Sequence, residues 1–95
     1  MPKRYKLDLH NFKPIDYGLL EIELEFKLDS FLRPLLNLKS CKIEIIVGKG
    51  LNSKRFINGK NPLRFYTEKY LQKLNLDYKE GGYFEGQDGV LIVQW

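Results

Sequence analysis

Glu21-Ile22-Glu23-Leu24-Glu25-Phe26-Lys27-Leu28-Asp29 admits two readings, and the fold turns on which one holds. In steps of two, apolar and charged residues alternate strictly, as in a strand with one wet face. In steps of three and four, Leu20, Leu24, Leu28, Phe31 and Leu35 fall on one helical stripe, and Glu21, Glu25 and Asp29 on another. Leu, Glu and Lys are strong helix formers, and the one breaker in the segment is Pro34. A strand running from Asp16 to Leu38 would also be far longer than strands usually are. The segment is therefore read as a helix, ending near Arg33 or continuing past a kink at Pro34. A strand would instead bury Ile22 and Phe26 alongside Leu24 and Leu28.

Working outward, Tyr5-Lys6-Leu7-Asp8-Leu9-His10 alternates as a strand with Leu7 and Leu9 facing the core, and Asn11 to Pro14 ends it. Lys42 to Val47 is rich in β-branched residues and reads as a buried strand running into Gly48-Lys49-Gly50. The polar, glycine-bearing stretch through Asn61 reads as a loop. Asn61-Pro62 then opens a second helix, with Asn61 as N-cap, Pro62 at the first helical position and an apolar stripe of Leu63, Tyr66, Tyr70, Leu71 and Leu74. Leu76 to Lys79 is a short strand, Gly81 to Gly89 a turn-rich connector, and Val90 to Trp95 the last strand. The order βαβαββ predicts an α/β (α+β) two-layer sandwich: a four-stranded mixed sheet with two helices on one face. Residues 1–95 are expected to form a single domain, with a core from about residue 5 onward.

Composition limits the function classes. With one Cys (Cys41) and one His (His10), neither a disulfide framework nor an all-protein metal site is expected, and no cofactor is implied. No run of about 18 apolar residues is present, so no membrane partner is expected. The basic N-terminus leads into polar residues and does not resemble a signal peptide, which makes the cytoplasm the expected compartment. The net charge of +4 is unevenly spread: Asp16 to Asp29 holds five acids and one base, while Ile45 to Thr67 holds five bases and no acid. A one-signed stretch attracts polyanions, although an ordinary solvated loop would have the same composition.

Leu7-Asp8-Leu9-His10 on the first strand, with Gly48-Lys49-Gly50-Leu51-Asn52-Ser53 after the second, resembles the Smr (small MutS-related) domain family. Leu63-Arg64 with Tyr70-Leu71 resembles its second helix, and Gly89 to Val93 its last strand, so the resemblance runs from Tyr5 to Gln94. The chain departs from the family pattern at three places. Asn11 stands where Gly is usual, Val47 stands where His or Thr is usual before Gly48, and the span from His10 to Phe31 is about two helical turns longer. The resemblance implies a domain that binds RNA or DNA, or the ribosome, and in many relatives cuts phosphodiester bonds. It implies nothing about oligomeric state.

On a strand, Asp8 and His10 would share the face opposite Leu7 and Leu9. A carboxylate beside an imidazole fixes its tautomer, which suits general acid–base work and makes Asp8 and His10 the candidate catalytic pair. The same pair would also serve simply to tie down the strand end. Gly48, Lys49 and Gly50 would present N–H groups and an ammonium to a phosphate, or form only a tight turn. The spacing of a Walker loop is absent, so nucleotide hydrolysis is not expected. Lys54, Arg55, Lys60 and Arg64 would add phosphate contacts, and Phe56, Tyr66 and Tyr83 are candidates for stacking on bases. Two further classes compete with a metal-independent endonuclease. One is a non-catalytic nucleic-acid or ribosome-binding module, and the other an interaction domain whose acidic first helix docks a basic partner.

Overall fold

A computed structural model describes residues 3–10, 12–48, 61–81 and 89–95 of the chain. Strand β1 (Lys3–Asp8) is followed by a short 3₁₀ turn (Tyr17–Leu19) that leads into helix α1 (Leu20–Leu35). Strand β2 (Cys41–Ile46), helix α2 (Pro62–Lys73) and strands β3 (Tyr78–Glu80) and β4 (Val90–Gln94) complete the order. The four strands form one mixed sheet, β1-β2-β4-β3. β1 is parallel to β2, and β4 is antiparallel to both of its neighbours. This is the expected α+β architecture. Both crossovers, β1-α1-β2 and β2-α2-β3, step the same way across the sheet, so the right-handed rule puts both helices on one face. Their buried residues accordingly join one core with Ile43, Ile45, Leu91 and Val93 of the sheet.

The ambiguous segment is a helix. Leu24, Leu28 and Leu32 are fully buried, whereas Ile22 and Phe26 are 67% and 76% exposed. Half the apolar residues of the alternating run thus face away from the sheet, because at 3.6 residues per turn Ile22 and Phe26 lie opposite the Leu24–Leu28 stripe. Pro34 is accommodated inside the last turn, and the helix ends at Leu35. So near the terminus, its missing N–H forgoes a single intrahelical bond.

α2 starts as the sequence predicts: the Asn61 side chain accepts from the Arg64 N–H at 2.9 Å, and Pro62 follows at the first helical position. At its other end Asn75 adopts φ 59°. The Leu76 N–H reaches the Leu71 carbonyl at 3.0 Å and the Asn75 N–H that of Gln72 at 3.0 Å, a Schellman closure. That closure takes up Asn75 and Leu76, so β3 begins at Tyr78, two residues later than expected.

The acidic stripe of α1 is largely matched within the chain. Lys69 donates to Glu21 at 2.6 Å, Lys73 to Glu25 at 2.7 Å, and the Tyr70 hydroxyl to Asp29 at 2.5 Å. Arg33, one turn on, also holds Asp29, at 2.6 Å. These acids thus join α1 to α2.

Candidate functional site

The site forms where β1 ends beside β2. Leu9 makes the last rung, its N–H donating to the Ile46 carbonyl at 2.7 Å. The expected strand through His10 therefore stops at Asp8, and His10 lies in the turn that follows. The turn is local: Asp8 Oδ1 accepts the His10 N–H at 3.0 Å, and the Phe12 N–H closes onto the Leu9 carbonyl at 2.9 Å. An Asp satisfying an N–H two residues on is the ordinary Asx arrangement. Strand alternation is thus not what brings Asp8 and His10 together. The turn does so, and it sets His10 Nδ1 in close contact with the same Asp8 oxygen.

This contact dictates the chemistry open to the pair. Facing a carboxylate oxygen, Nδ1 carries the hydrogen, which leaves the lone pair on Nε2. The hydrogen bonds from the His10 ring and then from its backbone N–H hold the Asp8 carboxyl below the usual range, so it stays ionised. Both side chains are about half exposed, 48% for Asp8 and 49% for His10, and a ligand can reach them.

Gly48 packs against the same turn. Its φ is +78°, and a Cβ built on it would lie 3.5 Å from the His10 Cβ. The glycine thus supplies a left-handed bend that side chains rarely adopt, beside the Cα and Cβ of His10. The Gly89 carbonyl accepts from Val47 at 2.8 Å and from Gly48 at 3.1 Å. The Asn61 side chain donates to the Gly48 carbonyl at 3.0 Å. Asn61 is 6% exposed and serves both as the α2 cap and as a tether fixing Gly48 to that helix. The sequence marks the cap but carries no signal for the tether, which depends on a contact thirteen residues away.

The remaining candidates separate. Lys49, Gly50, Lys54, Arg55 and Lys60 lie outside the described residues, as do Phe56 and Tyr83. Arg64 is not placed for the phosphate contact expected of it. Its side chain is 16% exposed, and its guanidinium pairs with Glu68 at 3.2 Å and with Glu80. Glu68 in turn accepts from the Tyr78 hydroxyl at 2.9 Å, so Arg64 belongs to a network joining α2 to β3. Tyr66 is half-buried against the core and meets Phe65 edge to face at 5.3 Å, which leaves little of its ring for a base. Val47 is 2% exposed and continues the inward row of Ile43 and Ile45. Cys41 is fully buried, and burial pushes its thiol up, as suits a packing residue.

Among the described residues no cluster of three or more His, Cys, Asp or Glu side chains is arranged to hold a metal ion. No helix among them is long and apolar enough to cross a membrane. No family model, curated protein or solved structure matches the chain.

Proposed function

We propose that this chain is a nucleic-acid-binding domain of the Smr type that cleaves phosphodiester bonds, with His10 as general base and Asp8 as its orienting carboxylate. The observation that carries the reading is the Asp8–His10 contact through Nδ1, which leaves the Nε2 lone pair outside that contact on a half-exposed side chain whose Cβ lies next to Gly48. On RNA, Nε2 would take the 2′-hydroxyl proton and the 2′-oxygen would attack phosphorus. The 5′-oxygen would leave, giving a cyclic phosphate and a 5′-hydroxyl. One imidazole cannot accept and donate in the same step, so the leaving oxygen needs a proton from elsewhere, and Lys49 is the first candidate. Lys54, Arg55 and Lys60 would hold the flanking phosphates without reading bases.

A non-catalytic nucleic-acid or ribosome-binding module is the second reading. Val47 favours it, because the position before Gly48 offers a buried methyl surface where related domains carry a polar side chain. Incubating pure protein with labelled RNA and DNA, with and without chelator, and mapping the product ends separates the two. Cleavage that persists in chelator and depends on His10 supports the enzyme, whereas binding without cleavage supports the module.

A further inference from the structure

We infer that the β1 side of the sheet face turned away from the helices is a second nucleic-acid contact surface, on which Arg4, Lys6 and Lys42 lead a strand toward Asp8 and His10. The inference rests on the nucleic-acid reading above and adds the path taken by the ligand.

Alternation assigns the face. Tyr5 and Leu7 turn toward the core, so Arg4, Lys6 and Asp8 turn away from it, and all three are exposed. On β2, Cys41, Ile43 and Ile45 are buried, while Lys42 and Glu44 lie half-buried on the outer side. The register sets Arg4 directly opposite Lys42 and Lys6 opposite Glu44. Val90 and Ile92 of the same face are buried, and they separate the exposed β1 side from Lys79 at the β3 edge.

Like charges directly opposite one another on a sheet are destabilising. Among the described residues, neither Arg4 nor Lys42 has an ion pair with an acid, and Glu44 forms none with Lys6. This contrasts with Lys69, Lys73, Arg33 and Arg64, each of which is matched by a carboxylate. Arg4 and Lys42 thus lie opposite one another on one exposed face with no carboxylate among the described residues matching them, and that face ends at the Asp8–His10 turn. From Arg4 to Asp8 the strand covers about 13 Å, roughly four stacked nucleotides at ~3.4 Å each. A phosphate backbone lying along β1 would neutralise the Arg4–Lys42 repulsion and bring a downstream phosphodiester to His10.

The test is fluorescence anisotropy with a labelled single-stranded RNA and its DNA counterpart, titrated across salt concentrations. Arg4→Gln/Lys42→Gln keeps most of each side-chain stem and removes two charges. Lys69→Ala/Lys73→Ala removes two charges from the helix layer and serves as the control, with circular dichroism checking the fold of both. The first double variant should bind about tenfold more weakly and lose roughly 1.4 units of the log K–log salt slope, at ~0.7 per contact for single strands. The control should keep the wild-type slope. A wild-type slope in Arg4→Gln/Lys42→Gln, or an equal loss in both variants, overturns the inference while leaving nucleic-acid binding intact. Wild-type protein that binds neither RNA nor DNA overturns the underlying reading itself.

Discussion

Tyr70 on α2 donates its phenolic hydrogen to the Asp29 carboxylate on α1 at 2.5 Å, and Arg33 grips the same carboxylate from one turn further along α1. This acid thereby ties the two helices together beside the Lys69–Glu21 and Lys73–Glu25 pairs. The Arg33 and then the Tyr70 hydrogen bonds hold the Asp29 carboxyl down to about 2, while burial and the Asp29 bond push the Tyr70 hydroxyl up to about 12. A depressed carboxyl stabilises the fold above its unfolded pKa of about 3.9, and that contribution is lost as pH falls through the folded value. Asp29→Asn should therefore lower the urea midpoint at pH 5, with the gap from wild type closing between about pH 4 and pH 2. A gap that stays constant over this range would mean that Asp29 acts through packing rather than charge.

The two apolar faces of α1 should respond in opposite ways to truncation. Leu24→Ala or Leu28→Ala empties a fully buried site and should cost about 2–4 kcal/mol. Ile22→Ala or Phe26→Ala, on the exposed side, should stay within about 0.5 kcal/mol. Denaturant unfolding of the four variants provides the measurement, and equal losses on both faces would contradict the helix orientation.

Gly48→Ala places a side chain at φ +78°, where the added Cβ meets His10 at an ordinary 3.5 Å. The cost is therefore backbone strain rather than collision, on the order of 1–2 kcal/mol. Relief of that strain should swing the Gly48 peptide and shift the His10 ring resonances in an NMR spectrum. Unchanged stability together with unchanged His10 resonances would mean that the bend is not required.

Arg64 and the pair Lys54–Arg55 should separate stability from binding. Arg64→Ala strips a cation from Glu68, which is 6% exposed, and should destabilise by about 1–3 kcal/mol while leaving the salt dependence of nucleic-acid binding unchanged. Lys54→Ala/Arg55→Ala should do the reverse, keeping stability and flattening the salt slope by roughly one unit per lost contact on RNA and DNA alike. Binding isotherms and thermal melts on both variants check the pairing of effects.

The catalytic proposal stands or falls on Asp8 and His10. His10→Ala should abolish cleavage with affinity nearly intact, because the cations supply most of the binding. Asp8→Asn should slow the reaction less completely, since the ring remains but its tautomer is no longer fixed by a carboxylate. Chelator should have little effect, since a lone His and a lone Asp make a poor metal site. If the double variant cuts at the wild-type rate, the reaction does not run through this pair.

The fold was legible wherever local chemistry and pattern agree. Asn61-Pro62 opens α2, β-branched residues mark β2 and β4, and stripe spacing together with helix propensity resolves the alternating run into α1. Asp8 and His10 also stood out in the sequence, although the expected reason, a shared strand face, gives way to an Asx turn two residues long. Tertiary structure decided the rest. Arg64 reads as one more base in an acid-free stretch, and only the arrival of β3 brings Glu80 to it from sixteen residues away. Asn61 reads as a cap, and only the packing of α2 against the end of β2 makes it the tether of Gly48. Pattern and propensity report on neighbours along the chain, whereas ion pairing and tethering depend on which surfaces the folded sheet brings together.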